Sequence, residues 1–345
     1  MSDAFSTPMS KRLGAKPAVS PVMTAFIHQV DISEIKLDAH SGFLSFQHLK
    51  ISDLCTDPYG EFLEFCRINE HSLLKAEKFG LDIYIQLGSQ SNIHASGAQF
   101  VSDIVARHNP AHPQFRIIGK PGGRKYLNGD EFVPDFGLTP AGFSAILGPT
   151  VVGEIQFATH FVTPQGDEPN VRGCDRKAMY YLRETPHISA FICVYIQCPW
   201  PVDGYPKIVL YYFDKPDPNH ASFLYQPRLV INIGRVLHNE ERNAIMAMYP
   251  NLNPTIMFGN GFGTGACHPA ADPDHYIFKI PGAAVLYTDP DHTQAAGGIP
   301  IGTIDVGIEI DCRVLLNRIL YGAWEDDLPI NFGPHWPWDP TPLAP

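Results

Sequence analysis

The sequence predicts an α/β fold, with an N-terminal β element before its core and a β-rich extension after it. Three observations lead there. Apolar residues alternate at period two in some short segments and recur at period 3.6 in others, and the two kinds follow one another along the chain. The 32 prolines fall between these segments rather than in a repeat, which places turns and long loops there. With 44% hydrophobic and 18% charged residues, 345 residues suffice for one large domain or two modest ones with a real core.

Taken in order, residues 1–20 carry Lys11, Arg12 and Lys16 among Ser, Ala and Pro, and read as a disordered arm, a composition that weak transit peptides share. Residues 21–58 form the N-terminal β element, because Phe26 to Ile32 and Phe43 to Phe46 alternate in short runs. From Pro58 to Phe79 the apolar positions fall near helical spacing, and Gly80 is a plausible stop. Leu81 to Leu87 then alternates like a strand. Gly97 to His108 places Phe100, Val101, Ile104 and Val105 on one helical face, ended by Asn109-Pro110, and a strand runs through Phe115 to Ile118.

An extended segment from Glu131 to Leu138 contains Pro134-Asp135. Thr150 to Phe157 is the clearest strand, β-branched and apolar with two polar residues on one face. A helix at Asp175 to Glu184 and strands at Ile188 to Gln197 and Lys207 to Phe213 complete a core over residues 59–215. In the extension, residues 216–330, Leu229 to Ile233, Tyr276 to Ile280, Ala284 to Tyr287 and Thr303 to Ile310 read as strands, and Cys312 to Leu320 as a helix. Residues 331–345 form a tail rich in Pro and Trp.

Composition narrows function. The seven cysteines are scattered with no C-x-x-C pair, which argues against a disulfide framework or zinc ribbon and fits a reduced, intracellular compartment, cytoplasmic or nuclear. No apolar run is long enough to span a bilayer, so no membrane partner is expected. A net charge of −11 means that any nucleic-acid affinity has to come from a local basic face or from metal.

The residues that carry chemistry sit on the clearest strand. Glu154 and Gln156 lie two apart, so their side chains leave one face of the sheet while Ile155 points to the other. Asp135 follows a proline, and a hairpin through Pro140 to Pro149 brings it beside Glu154. Two carboxylates so placed can hold one hard divalent cation, Mg²⁺ or Mn²⁺, which can bind a scissile phosphate and activate a water.

Val133-Pro134-Asp135, then Val151 to Gln156, then Asp175-Arg176-Lys177 with Tyr180-Tyr181-Leu182, then Ala190 to Ile196, resemble the PD-(D/E)XK nuclease superfamily, in particular its restriction-endonuclease-like proteins. The likeness spans roughly residues 100 to 215. It implies a restriction-endonuclease-like mixed central sheet flanked by helices and metal-dependent hydrolysis of phosphodiester bonds in DNA or RNA. It further implies metal ligands at Asp135, Glu154 and the carbonyl of Ile155, and it allows a homodimer.

Gln156 departs from the pattern, since a neutral amide cannot supply the charge that the usual lysine places near the attacking water, although it can still orient that water. Lys177, on the following helix, is the expected substitute; migration of the lysine in this way is seen in the superfamily. An alternative reading of the same residues is structural: Asp135 as a turn residue, Glu154 in a buried salt bridge, Gln156 on the solvent face. The alternative in function is a catalytically decayed nuclease fold that binds nucleic acid or protein, favoured by Gln156, by the net charge of −11 and by the absence of a strong basic run.

Other motifs fit less well. His160 is one of fifteen histidines and reads as an ordinary polar residue. The run Gly259 to Gly265 lacks the Lys-Ser/Thr of a phosphate loop. Cys267, His268 and His275 lack a zinc spacing, and Gly142 to Ala145 is no nucleophile elbow.

Overall fold

The computed structural model describes residues 47–50, 74–79, 82–87, 92–121, 125–127, 130–132, 134–141, 148–158, 174–185, 187–197, 200–215, 226–235, 237–252, 277–285 and 306–330. In chain order the first elements are β1 (Gln47–Lys50), β2 (Leu74–Phe79), β3 (Asp82–Leu87), α1 (Asn92–Ala111), β4 (Ile117–Pro121), β5 (Lys125–Leu127), β6 (Asp130–Phe132), β7 (Phe136–Pro140) and β8 (Val151–Ala158). Then come α2 (Cys174–Glu184), β9 (Ala190–Gln197), β10 (Lys207–Asp214), β11 (Leu229–Gly234) and α3 (Asn239–Met248). The last are β12 (Ile277–Ile280), α4 (Gly282–Val285), β13 (Ile308–Asp311) and α5 (Cys312–Glu325).

The main sheet is six-stranded and mixed, in the order β11-β10-β9-β8-β7-β4. Only β8 and β9 run parallel within it; its other neighbours are antiparallel. A parallel neighbour needs a crossover, and α2 supplies it. β9 is apolar on both faces and buried along nearly its whole length, as a central strand covered on each side must be. Its residues divide by parity: Ala190, Ile192, Val194 and Ile196 enter one core cluster, Phe191, Cys193 and Tyr195 the other. The first face is closed by α1 and α5, through Phe100, Ile104, Leu315 and Ile319, and the second by α2 and α3, through Ala178, Tyr181 and Ile245.

A second sheet has five antiparallel strands in the order β1-β3-β2-β6-β5. It includes Leu74–Phe79, which helical spacing had assigned to the end of a helix; the segment pairs residue by residue with β3 instead. Further differences lie toward the C-terminus. Residues 216–330 are a mixture of strands and helices, and β11 and α5 belong to the main sheet and its first core face. Ala284 and Val285, expected to open a strand running to Tyr287, fall instead in the single turn α4, whose Val285 carbonyl accepts from Thr150 Oγ1 at 2.6 Å. Helix α3 is unexpected from periodicity because it buries little beyond Ile245. Its first turn is held by Glu241, which accepts from the His238 N–H at 2.8 Å and pairs with Lys207 Nζ at 2.8 Å. Among the described residues no helix is long and apolar enough to cross a membrane.

Candidate active site at the β7–β8 edge

Gly153 and Phe136 set the geometry of this edge. They pair across β7 and β8, and a Cβ on Gly153 would stand 2.0 Å from the Phe136 ring. The ring therefore occupies the space that any other residue's side chain would need. This close contact fixes Asp135, the residue just before β7, against the middle of β8.

Asp135 brackets Glu154. Its backbone N–H donates to the Gly153 carbonyl at 2.9 Å, and its carboxylate Oδ2 accepts from the Ile155 N–H at 2.7 Å. Strand β7 starts only at Phe136, after Pro134, so the carboxylate takes a donor that a longer β7 would satisfy with a carbonyl. In a strand the N–H and C=O of one residue point the same way, which directs the Ile155 carbonyl to this edge as well.

Glu154 leaves the other way, toward α2, and is 1% exposed. Its Oε2 lies 3.1 Å from Lys177 Nζ, and its Oε1 accepts from the Tyr181 hydroxyl at 3.1 Å. Lys177 and Tyr181 are four residues apart on α2 and so share one helical face. Lys177 is itself buried, and in this low-dielectric setting an unpaired carboxylate or ammonium would be very costly. Gln156 is half-buried on the Glu154 side of β8, in register with Tyr195 of β9. Of the two neighbouring tyrosines, Tyr181 is core and Tyr180 packs partly buried beside it.

Periodicity gave no reason to single out His94. From the first turn of α1 its Nε2 reaches within 3.2 Å of Asp135 Oδ2, with both side chains largely shielded from solvent. His94 lies before the helix expected from Gly97 to His108, and its proximity to Asp135 arises only when the longer α1 packs on the sheet. His160, Gly259 to Gly265, Cys267, His268, His275 and Gly142 to Ala145 lie outside the described residues, as does the side chain of Arg176.

Two oxygen donors at this edge are of the kind that a hard divalent cation uses. The Asp135 carboxylate and the Ile155 carbonyl offer oxygen along one strand edge, and Mg²⁺ or Mn²⁺ needs only one or two carboxylates because it keeps several waters. Among the described residues no group of three or more His, Cys, Asp or Glu side chains could hold a metal ion, so such a cation depends on the backbone carbonyl and on water. Glu154, the other acid the resemblance implies, is engaged by Lys177 and Tyr181 in this structure. No family model matches the chain, and no curated protein matches it.

Proposed function

We propose that the chain is a metal-dependent nuclease of the PD-(D/E)XK type, with a restriction-endonuclease-like core, that hydrolyses phosphodiester bonds of nucleic acid at the β7–β8 edge. The observation that carries this reading is the placement of Asp135, just before β7, between its hydrogen bonds to Gly153 and Ile155 on either side of Glu154, with the Lys177 ammonium on Glu154 from the next helix. The order of elements supports it: a helix, antiparallel strands bearing first Asp135 and then Glu154, a helix bearing Lys177, and a parallel strand.

In this reading Asp135 and the Ile155 carbonyl would hold the cation, and Glu154 would join them only by giving up Lys177 or Tyr181. The chemistry that Mg²⁺ or Mn²⁺ would supply there is polarisation of a phosphoryl oxygen and acidification of a water. Lys177 provides the positive charge that Gln156 lacks, and Gln156 orients the water through its amide. The net charge of −11 makes nonspecific attraction to a polyanion weak, so productive binding relies on this local site and on whatever cations flank it.

A second reading, a catalytically decayed fold that binds nucleic acid or protein, is favoured by one observation. Both Glu154 oxygens are taken by protein donors in a site that is almost fully sealed. Incubating the full chain with single- and double-stranded DNA and RNA in Mg²⁺ or Mn²⁺ separates the two. The nuclease reading expects cleavage that disappears in Asp135→Ala. Absence of cleavage on every substrate with both metals leaves the binding module.

A further inference from the structure

Helix α1 delivers His94 to the acid edge, and two contacts hold it there. The Asp326 carboxylate, just beyond α5, accepts from the backbone N–H of Asn92 at 3.3 Å and of Ile93 at 3.4 Å, and from Asn92 Nδ2 at 2.8 Å. It therefore caps the N-terminus of α1 from another helix, where a carboxylate is favoured by the unsatisfied N–H groups and the dipole. On the other side, Gly97 sits three residues past His94, and a Cβ there would meet Ile155 Cδ1 at 2.9 Å. The glycine lets the first turns of α1 lie close to β8 at the residue whose N–H and carbonyl face Asp135.

We infer that His94 is a nitrogen ligand of the cation held at Asp135, an inference that rests on the metal-dependent reading above. Two neighbouring ligands on an octahedral ion, each about 2.1 Å from it, stand about 3 Å apart. His94 Nε2 and Asp135 Oδ2 are 3.2 Å apart, already at the spacing of one edge of such an octahedron. The His94 imidazole, the Asp135 carboxylate and the Ile155 carbonyl then form a mixed nitrogen and oxygen set. Imidazole is a better partner for transition-metal ions than for Mg²⁺, whose preference is for oxygen. The site therefore selects Mn²⁺, and Fe²⁺, Co²⁺ or Ni²⁺ along the same series, over Mg²⁺.

Mn²⁺ is the probe, because it is paramagnetic and its coupling to a ligating nitrogen is read directly by pulsed electron paramagnetic resonance on the full-length chain. The expected spectrum carries nitrogen modulation that changes when the histidines are labelled with ¹⁵N and vanishes in His94→Gln, while Mn²⁺ binds at least about tenfold more tightly than Mg²⁺. The labelled wild-type protein keeps the test intact should the variant fail to fold. Mn²⁺ that binds, is lost in Asp135→Asn and shows no histidine nitrogen overturns the role of His94 and leaves the metal reading standing. Nitrogen modulation that persists in a folded His94→Gln overturns the assignment as well. Wild-type protein that binds no Mn²⁺ at millimolar concentration overturns both.

Discussion

Lys177 and Glu154 form an ion pair of 3.1 Å between two side chains that are each at most 3% exposed, and Tyr181, one helical turn on from Lys177, donates to the same carboxylate. Breaking such a pair from one side strands a buried charge and costs about 3–5 kcal/mol, whereas replacing both members by neutral groups of similar shape is close to neutral. Lys177→Ala should therefore lower stability by that amount in chemical denaturation, and Glu154→Gln combined with Lys177→Met should recover most of the loss. A double variant no more stable than Lys177→Ala would show that the pair is not what the single change disturbs.

The same pair separates structure from chemistry at Gln156. Gln156→Lys puts a cation two residues along β8 from Glu154, at the position the nuclease pattern uses. On the nuclease reading, cleavage in Mn²⁺ should be retained or modestly raised by this change. Lys177→Met, which keeps the aliphatic volume, should lower cleavage by about 10²-fold or more, the scale on which one charge-stabilising group acts. Adding Gln156→Lys to Lys177→Met should restore part of the lost rate. Equal rates in wild type and Lys177→Met would remove Lys177 from the chemistry.

How much of this was legible depended on sequence distance. Glu154, Ile155 and Gln156 could be assigned to alternate faces because a strand's period of two is written into Val151 to Phe157 itself. Lys177 was legible as a helical residue following that strand. Neither the His94–Asp135 contact nor the cap on α1 is local: the Asp326 carboxylate that receives the Asn92 N–H lies 234 residues away. That remote cap also lets α1 begin at Asn92, upstream of the apolar face that starts near Gly97, and the helix runs on through Pro110. At its other end Asn109 pairs with both the N–H and the carbonyl of Ile117, tying the helix to β4. Leu74–Phe79 was misread for a related reason: its apolar spacing is ambiguous alone, and partners on β3 and β6 decide it.

Gly153 offers a test of the edge that needs no activity. Its missing side chain is replaced by the Phe136 ring, and a Cβ would lie 2.4 Å or less from three ring atoms. Because the ring is fully buried, it has no solvent to swing into. Gly153→Ala should cost about 1–3 kcal/mol, the range for overpacked cores. Phe136→Leu in the Gly153→Ala background should relieve part of that cost, although Phe136→Leu alone destabilises. Independent, additive effects in the double-mutant cycle would contradict the contact.

Lys215 gives a pH signature of its own. Burial pulls its ammonium from the ordinary 10.5 down to about 8. The folded chain thus binds fewer protons than the unfolded chain between these values, so stability should rise as pH increases from about 8 to about 10.5. Below about 8 the full penalty of a charged, partly buried lysine is present. Lys215→Met should be more stable than wild type at pH 7, with the difference shrinking toward pH 10.5. A stability difference that stays constant across this window would rule out Lys215 as the source.

Asp326 should control the first turn of α1, and with it the position of His94. Its carboxylate receives the N–H groups of Asn92 and Ile93 and the Asn92 side chain, while Gly322, four residues earlier, lies so close that a Cβ there would meet the Asn92 carbonyl oxygen at 2.4 Å. Loss of a cap typically costs about 0.5–2 kcal/mol. Asp326→Ala should do so mainly by fraying α1 locally, which hydrogen exchange reads as faster exchange at the Asn92 and Ile93 amides with the central strands β9 and β10 unchanged. Asp326→Asn keeps an acceptor oxygen and should hold most of the protection. Gly322→Ala should produce the larger effect, because the obstruction is backbone on α1 rather than the flexible end of a side chain, and the helices must separate to relieve it. If Asp326→Ala leaves both amides as protected as in wild type, the carboxylate is not what anchors this end of the helix.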